Sequence, residues 1–424
     1  MTLGADAWLG RTAVLLAFTV VLATVVGVAS YAGGREFQQS RVAEGASSTP
    51  SADPQPVPST PAVLSDESRV LARSAAVRLP APANGPAGSG SIISADGLIL
   101  TSAHIAAPTA PGLALLYGGV QTLAGAPPDE LVVSVSPGGV GPATPTFTAE
   151  VLAVDGYLDL AVLRIVADAQ GRPLPNGARF PFVPLGSVAD VDVNDDLTVF
   201  GFPSGAGGEV VAVAPGSVRA FLPDPRGRAP DPRFLLETTA DFSTQSSGGM
   251  ALDNAGRLVG VASTRPAAGG PAGARVVRAA DLALPLVRAA TNSTAYVSPY
   301  LTRGTGSEQA EDLGWTLAGP PCPQDGRAFL DGSSAKVVAH VFLRGMARGE
   351  DVVRVLRRDG EPLRTVSSVW DADEQGCLAT ELSEVDVGLG AGDGFQAGNY
   401  SLEVFVGPEQ QQLTTTEVTL TPED

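Results

Sequence analysis

Apolar residues are distributed in three ways along this chain of 424 residues. After a short N-terminal segment (1–11), residues 12–33 run without a charge, from Thr12 to Gly33. That run is long enough to cross a hydrocarbon core of about 30 Å as a helix. The apolar core of a cleaved signal is usually shorter, about 7–15 residues, so the pattern predicts an uncleaved transmembrane anchor. Cleavage as a signal sequence after Ser30-Tyr31-Ala32 is the alternative. Residues 34–65 form a Pro/Ser-rich linker that cannot pack a core and serves as a semi-extended spacer. From 66 to 290 the apolar residues fall instead into short runs broken by Gly and Pro, with little helical period, which predicts β-barrels or a sandwich. Gly88–His104 reads as a hairpin turning at Ala95-Asp96-Gly97, with a histidine just past its second strand. Residues 105–149 are longer and richer in Gly and Pro than a strand connection needs, and the part around Pro137–Pro145 reads as a surface insertion. Ala279–Arg288 predicts a short closing helix that starts or breaks at Pro285.

A polar connector (291–310) precedes a second β region, 311–424. Lys336–Arg344, Asp351–Arg358, Leu363–Trp370, Gly398–Val406 and Leu413–Leu420 are its candidate strands. In the fourth, Tyr400, Leu402, Val404 and Val406 alternate with Ser401, Glu403 and Phe405. Strands at this spacing suggest a small β-sandwich, and the Ala397–Tyr400 turn looks like the corner of immunoglobulin-like modules.

Charge narrows the function classes. Acids outnumber bases by 45 to 27, for a net charge of −18. A nucleic-acid binder would carry a basic face, so that class is excluded. Lys336 is the only lysine, which with abundant Ala, Gly and Pro points to a coding bias. The two cysteines, Cys322 and Cys377, show no metal-ligand spacing, and the only histidine besides His104 is His340, so no metal site or cofactor is expected. In an exported chain the two cysteines could form one disulfide; two buried thiols are the alternative.

Three polar residues interrupt the apolar pattern in the middle region. His104 follows the hairpin. Asp159 opens the strand Leu160-Ala161-Val162-Leu163. Ser247 precedes Gly248-Gly249 between two strand-like runs, and the glycines let the chain bend and a substrate approach. A serine hydroxyl becomes a nucleophile when a base takes its proton, and the base needs an acid to fix its tautomer. Asp155 is the rival acid, and Ser243 and Ser246 are the rival serines. Asp159 directly precedes its apolar strand, and only Ser247 precedes Gly-Gly.

These segments, in the order His, Asp, Ser, resemble the trypsin-like serine proteases of the HtrA/Deg type. Thr198–Pro203 with Gly216-Ser217-Val218 is similar to the strand pair that opens the second barrel of that family. The resemblance covers about residues 68–290. It implies an all-β double barrel with the site between the barrels, peptide hydrolysis without a cofactor, protein or peptide substrates, and a homo-oligomer. The family usually carries a PDZ domain next, but no carboxylate-binding loop of that kind occurs here, and the C-terminal module has no assigned ligand. The resemblance also implies an oxyanion hole made by the backbone N–H groups of Gln245 and Ser247. Gln245 stands where the family has glycine, and a side chain there penalises positive φ. Loss of one oxyanion donor costs on the order of 3 kcal/mol in the barrier, a factor of ~10²–10³. Asp241 occupies the offset of the substrate-pocket floor, where an acid would select basic side chains, unless Arg265 neutralises it as an internal ion pair.

The expected whole is an N-terminal transmembrane helix, a trypsin-like double β-barrel (66–290) and an acidic immunoglobulin-like β-sandwich (311–424). It would be a single-pass, extracytoplasmic, membrane-anchored serine endopeptidase, or a secreted one if the N-terminal segment is cleaved. The alternative function is a catalytically weak or inactive pseudoprotease acting as a cell-surface binding or scaffold protein.

Overall fold

The computed structural model describes residues 63–80, 87–125, 129–203, 209–264, 275–316, 336–383 and 396–420. The predicted membrane segment 12–33, Arg265 and Cys322 lie outside the described residues. Among the described residues no helix is long and apolar enough to cross a membrane.

The chain enters through helix α1 (Asp66–Ala75), capped by the Ser65 hydroxyl, which accepts from Ser68 N, with Asp66 and Glu67 in its first turn. These acids suit the positive end of the helix. Seven strands follow: β1 (Ala76–Leu79), β2 (Gly88–Ile92), β3 (Leu98–Thr101), β4 (Gln121–Ala124), β5 (Glu130–Val135), β6 (Thr144–Asp155) and β7 (Leu160–Asp168). All but β4 close into a barrel in the order β1-β2-β3-β7-β6-β5. A second closed barrel has the order β10-β13-β12-β11-β8-β9. Its strands are β8 (Asp196–Gly201), β9 (Ala212–Leu222), β10 (Leu235–Thr238), β11 (Met250–Leu252), β12 (Leu258–Ser263) and β13 (Val276–Ala279). Closure leaves no open sheet edge and lets short apolar strands bury fully. One continuous core serves both barrels, with Ile99, Leu163, Phe200, Phe234 and Val277 inside it. The closing helix is a 3₁₀ turn over Ala280–Ala283 that continues as an α-helix over Leu284–Asn292, with Pro285 in its first turn. Proline is tolerated there because that N–H has no partner within the helix.

The C-terminal region is two sheets on a shared core. β14 (Gln309–Thr316), β15 (Lys336–Arg344) and β18 (Gln375–Ser383) form one sheet. β16 (Asp351–Arg358), β17 (Glu361–Val369), β19 (Gly398–Val406) and β20 (Gln411–Leu420) belong to the other. Trp315, Val341, Val352, Leu402 and Val404 meet between them. Tyr400 is fully buried, and its hydroxyl donates to the Gln396 carbonyl at 2.9 Å. This is the corner anticipated at Ala397–Tyr400.

The second sheet differs from the sequence expectation in one respect that matters for function. Its order is β20-β19-β16-β17-β4, so its last strand comes from the long connection between β3 and β5 of the first barrel, ahead of the Pro137–Pro145 stretch read as the insertion. Gln121–Ala124 pair antiparallel with Ser367–Arg364. Four residues of mixed burial carry too little alternation to read as a strand. The pairing is decided by the open edge of β17.

A second link between the regions is ionisable. Asp351, at the start of β16, is fully buried and accepts from Gly112 N at 2.8 Å. Burial pushes its carboxyl up to about 6, against the pull of the Gly112 amide and Arg228. An acid whose folded pKa is raised stabilises the fold fully only below its unfolded pKa, near 4, and that contribution is lost as pH rises through about 6. Asp351→Asn should therefore be more stable than the parent at pH 8, by on the order of 3 kcal/mol, with a gap that narrows toward pH 5. Urea unfolding at the two pH values measures this, and a gap independent of pH would contradict it.

Candidate active site

His104 lies in the one-turn helix α2 (Ala103–Ala106), directly after β3. Asp159 lies in the turn between β6 and β7 and takes a left-handed φ of 55°. Aspartate tolerates this conformation better than most residues. Its carboxylate is fully buried. It accepts from the backbone N of His104 at 2.9 Å, and both its oxygens lie 2.9 Å from His104 Nδ1. An Nδ1–H held this way leaves Nε2 as the free base. Burial by itself would raise the Asp159 carboxyl, but the charge of His104, its hydrogen bond, Arg278 and Tyr117 together hold it at about 2.

Two of those groups carry no motif and escape sequence reading. Tyr117 donates to Asp159 Oδ2 at 2.5 Å, and its ring stands edge-on to His104 with centroids 6.1 Å apart. Arg278, on β13 of the second barrel, is 1% exposed and has its Nε 3.8 Å from Asp159 Oδ2. Its Nε and Nη1 have no hydrogen-bond partner. A buried cation of this kind is held by the carboxylate's charge. The signal for it was a charge inside an otherwise apolar strand, Val276-Val277-Arg278-Ala279. The rival acid, Asp155, is engaged elsewhere: it accepts from Leu158 N at 3.0 Å and from Tyr296 OH at 2.8 Å.

Ser247 follows a 3₁₀ turn over Thr244–Ser246. Ser89 on β2 ties this turn to the first barrel. Its N donates to Ser247 O at 2.8 Å, its hydroxyl donates to Gln245 O at 2.9 Å, and the same hydroxyl accepts from Phe202 N at 2.9 Å. Gly248 has a φ of 87°, and a Cβ there would lie 2.1 Å from Ser89 O and 2.4 Å from Thr101 Oγ1, so only glycine fits. Thr101 ends β3, three residues before His104. The turn is thus pinned at the end of the first barrel from which His104 emerges.

The site is not set for attack in this conformation. Ser247 Oγ lies 3.0 Å from Thr264 Oγ1 and accepts from Thr264 N at 3.2 Å. No hydrogen bond joins it to His104. Ser247 N donates to Thr244 O at 3.1 Å, so this expected oxyanion donor is turned into the 3₁₀ turn. Gln245 keeps a negative φ within that turn, as expected for a residue with a side chain where glycine would permit the other geometry. Asp241, read as a pocket-floor candidate, lines a cavity of about 310 Å³ with Phe242, Ser243, Ser246 and Arg275; its side chain is 86% exposed, and its partner at 2.5 Å is Arg275 Nη2.

Cys377 is disulfide-bonded, and the chain's other cysteine is Cys322. His340 is buried in the C-terminal core, with its Nε2 2.8 Å from Thr316 Oγ1, and plays no part in the site.

Residues 88–261 match the family model of the trypsin-like peptidase domain. The chain is 28% identical to the serine endoprotease DegS of Haemophilus influenzae over 174 residues, 41% of this chain and 40% of that relative. It is 27% identical to HhoA of Synechocystis over 179 residues, 41% of this chain and 36% of that relative. The aligned region thus spans well under half of either relative.

Ser89→Ala removes a donor to Gln245 O and leaves Phe202 N–H buried without its acceptor. A loss of about 2 kcal/mol is expected, the usual penalty for an orphaned buried donor. Urea unfolding measures it, and unchanged stability would show that Ser89 does not anchor the turn.

Proposed function

We propose, on the premise that residues 88–261 form a trypsin-like peptidase domain, that the chain is a serine endopeptidase of HtrA type. In this reading Ser247 Oγ attacks the scissile carbonyl, His104 Nε2 takes its proton, and Asp159 holds the Nδ1–H and stabilises the imidazolium. The same proton then passes to the leaving amine, and water releases the acyl-enzyme by the reverse path. The observation that carries the reading is the buried Asp159 carboxylate, held ionised and bonded to His104 Nδ1 at 2.9 Å. A buried acid of this kind leaves the other ring nitrogen basic and oriented. Catalysis also needs the Thr244–Ser247 turn to rearrange, so that Ser247 N leaves Thr244 O and the hydroxyl leaves Thr264. Substrate binding supplies the energy for that step where the bound geometry is favoured only with substrate present.

The substrates in this reading are proteins or peptides. We place the enzyme outside the cytoplasm, held by the apolar segment 12–33 and spaced by the Pro/Ser-rich linker. The disulfide at Cys377 supports an oxidising compartment.

One observation favours the second reading, a catalytically silent scaffold: both Ser247 groups needed for catalysis are engaged elsewhere. A fluorophosphonate probe separates the two on the full chain beside Ser247→Ala, with unfolded casein present. The peptidase reading expects covalent labelling that disappears in the variant. A folded chain that takes no label under these conditions would leave the scaffold reading standing.

A further inference from the structure

We propose that Tyr117 is a positioning residue for Asp159, and that the C-terminal β-module sets its place, so that docking of the module controls the candidate catalytic pair. The proposal rests on the peptidase reading above. It starts from the short helix α3 (Leu113–Tyr117), whose last residue is Tyr117. Leu113, Ala114 and Leu116 are buried, and Leu113 packs with Ala103 beside His104. Both ends of the helix are left-handed glycines, Gly112 with φ 92° and Gly118 with φ 67°. A Cβ on Gly112 would lie 2.6 Å from Tyr157 N, so the chain must turn here on glycine. Five residues cannot hold a helix by themselves, so its ends must be fixed from outside.

The C-terminal module supplies both fixings. Before the helix, Gly112 N donates to the buried Asp351 at the start of β16, at 2.8 Å. After it, Val120 leads directly into β4, which is the edge strand of the module's sheet. That pairing is closed by Gly125 N donating to Leu363 O at 2.8 Å and by Thr365 Oγ1 donating to Gly125 O at 2.9 Å. Leu123 is 4% exposed and anchors the strand. Only three residues, Gly118, Gly119 and Val120, therefore separate the module's sheet from the residue whose hydroxyl touches the catalytic carboxylate.

The effect on the pair follows from charge. Asp159 is faced by His104, Tyr117 and Arg278. Burial, and then the charge of Asp159, push the Tyr117 hydroxyl up, so it stays a donor through the working range. Its hydrogen bond holds Oδ2 in place and draws on the same negative charge that stabilises the imidazolium. Without it Asp159 turns more freely, while more of its charge acts on His104.

The test uses the full chain, with Tyr117→Phe, Leu123→Ser and the double variant. The chain has two histidines, so the His104 ring C–H signal is assigned by comparison with His340→Gln. In Tyr117→Phe the His104 titration midpoint should rise by roughly one pH unit, the size of one charge-assisted hydrogen bond. Fluorophosphonate labelling should slow roughly tenfold through loss of orientation. Leu123→Ser should shift both in the same directions, and the double variant should add little to Tyr117→Phe, since the two act through one contact. A His104 midpoint unchanged in Tyr117→Phe would overturn the positioning role. A midpoint moved by Tyr117→Phe but not by Leu123→Ser would overturn control by the module. Absence of label in the parent chain would fail the peptidase reading, and the titration would still decide this proposal.

Discussion

A carboxylate removed from water must be neutralised and hydrogen-bonded, or it takes up a proton. Asp159 meets that constraint with groups from three parts of the chain: His104 after β3, Tyr117 from the connection between β3 and β5, and Arg278 from the second barrel. Its burial therefore draws together the first barrel, the second barrel and the segment that feeds the C-terminal sheet. The left-handed backbone at Asp159 is the local strain that this arrangement offsets.

The other half of the site obeys a different constraint. The turn before Ser247 is held by backbone bonds and by Ser89, and its right-handed 3₁₀ geometry satisfies Ser247 N internally. His104 and Asp159 are thus joined, while the Ser247 hydroxyl and amide are engaged within the second barrel. In the peptidase reading this is a resting arrangement. The peptidase reading turns on a rearrangement of the Thr244–Ser247 turn and of the Ser247 hydroxyl. Glycine at Gln245 would widen the choice of backbone geometry there.

Legibility in the sequence followed the source of each signal. His104, Asp159 and Ser247 stood out because their turns interrupt apolar strands with small and polar residues. Five strands of the C-terminal module were visible by length and alternation. β14 and β18 were not, because Gln309–Thr316 and Gln375–Ser383 mix Gly, acids and polar residues with few apolar ones. β4 was hidden because its pairing depends on an edge 240 positions away, Thr365 against Gly125. Tyr117 had no motif, since its role comes from the fold around it. Asp241 was read by offset alone, and offset does not reveal that its partner is Arg275 or that it faces solvent.

The bond between Asp159 and His104 Nδ1 is the claim on which the rest depends, and its proton can be observed directly. We would record the proton spectrum of the folded full chain far downfield of the backbone amides. The account predicts one resonance there from His104 Nδ1–H, retained in His340→Gln and absent in Asp159→Asn. A folded parent chain without that resonance, or one that keeps it in Asp159→Asn, would contradict the account.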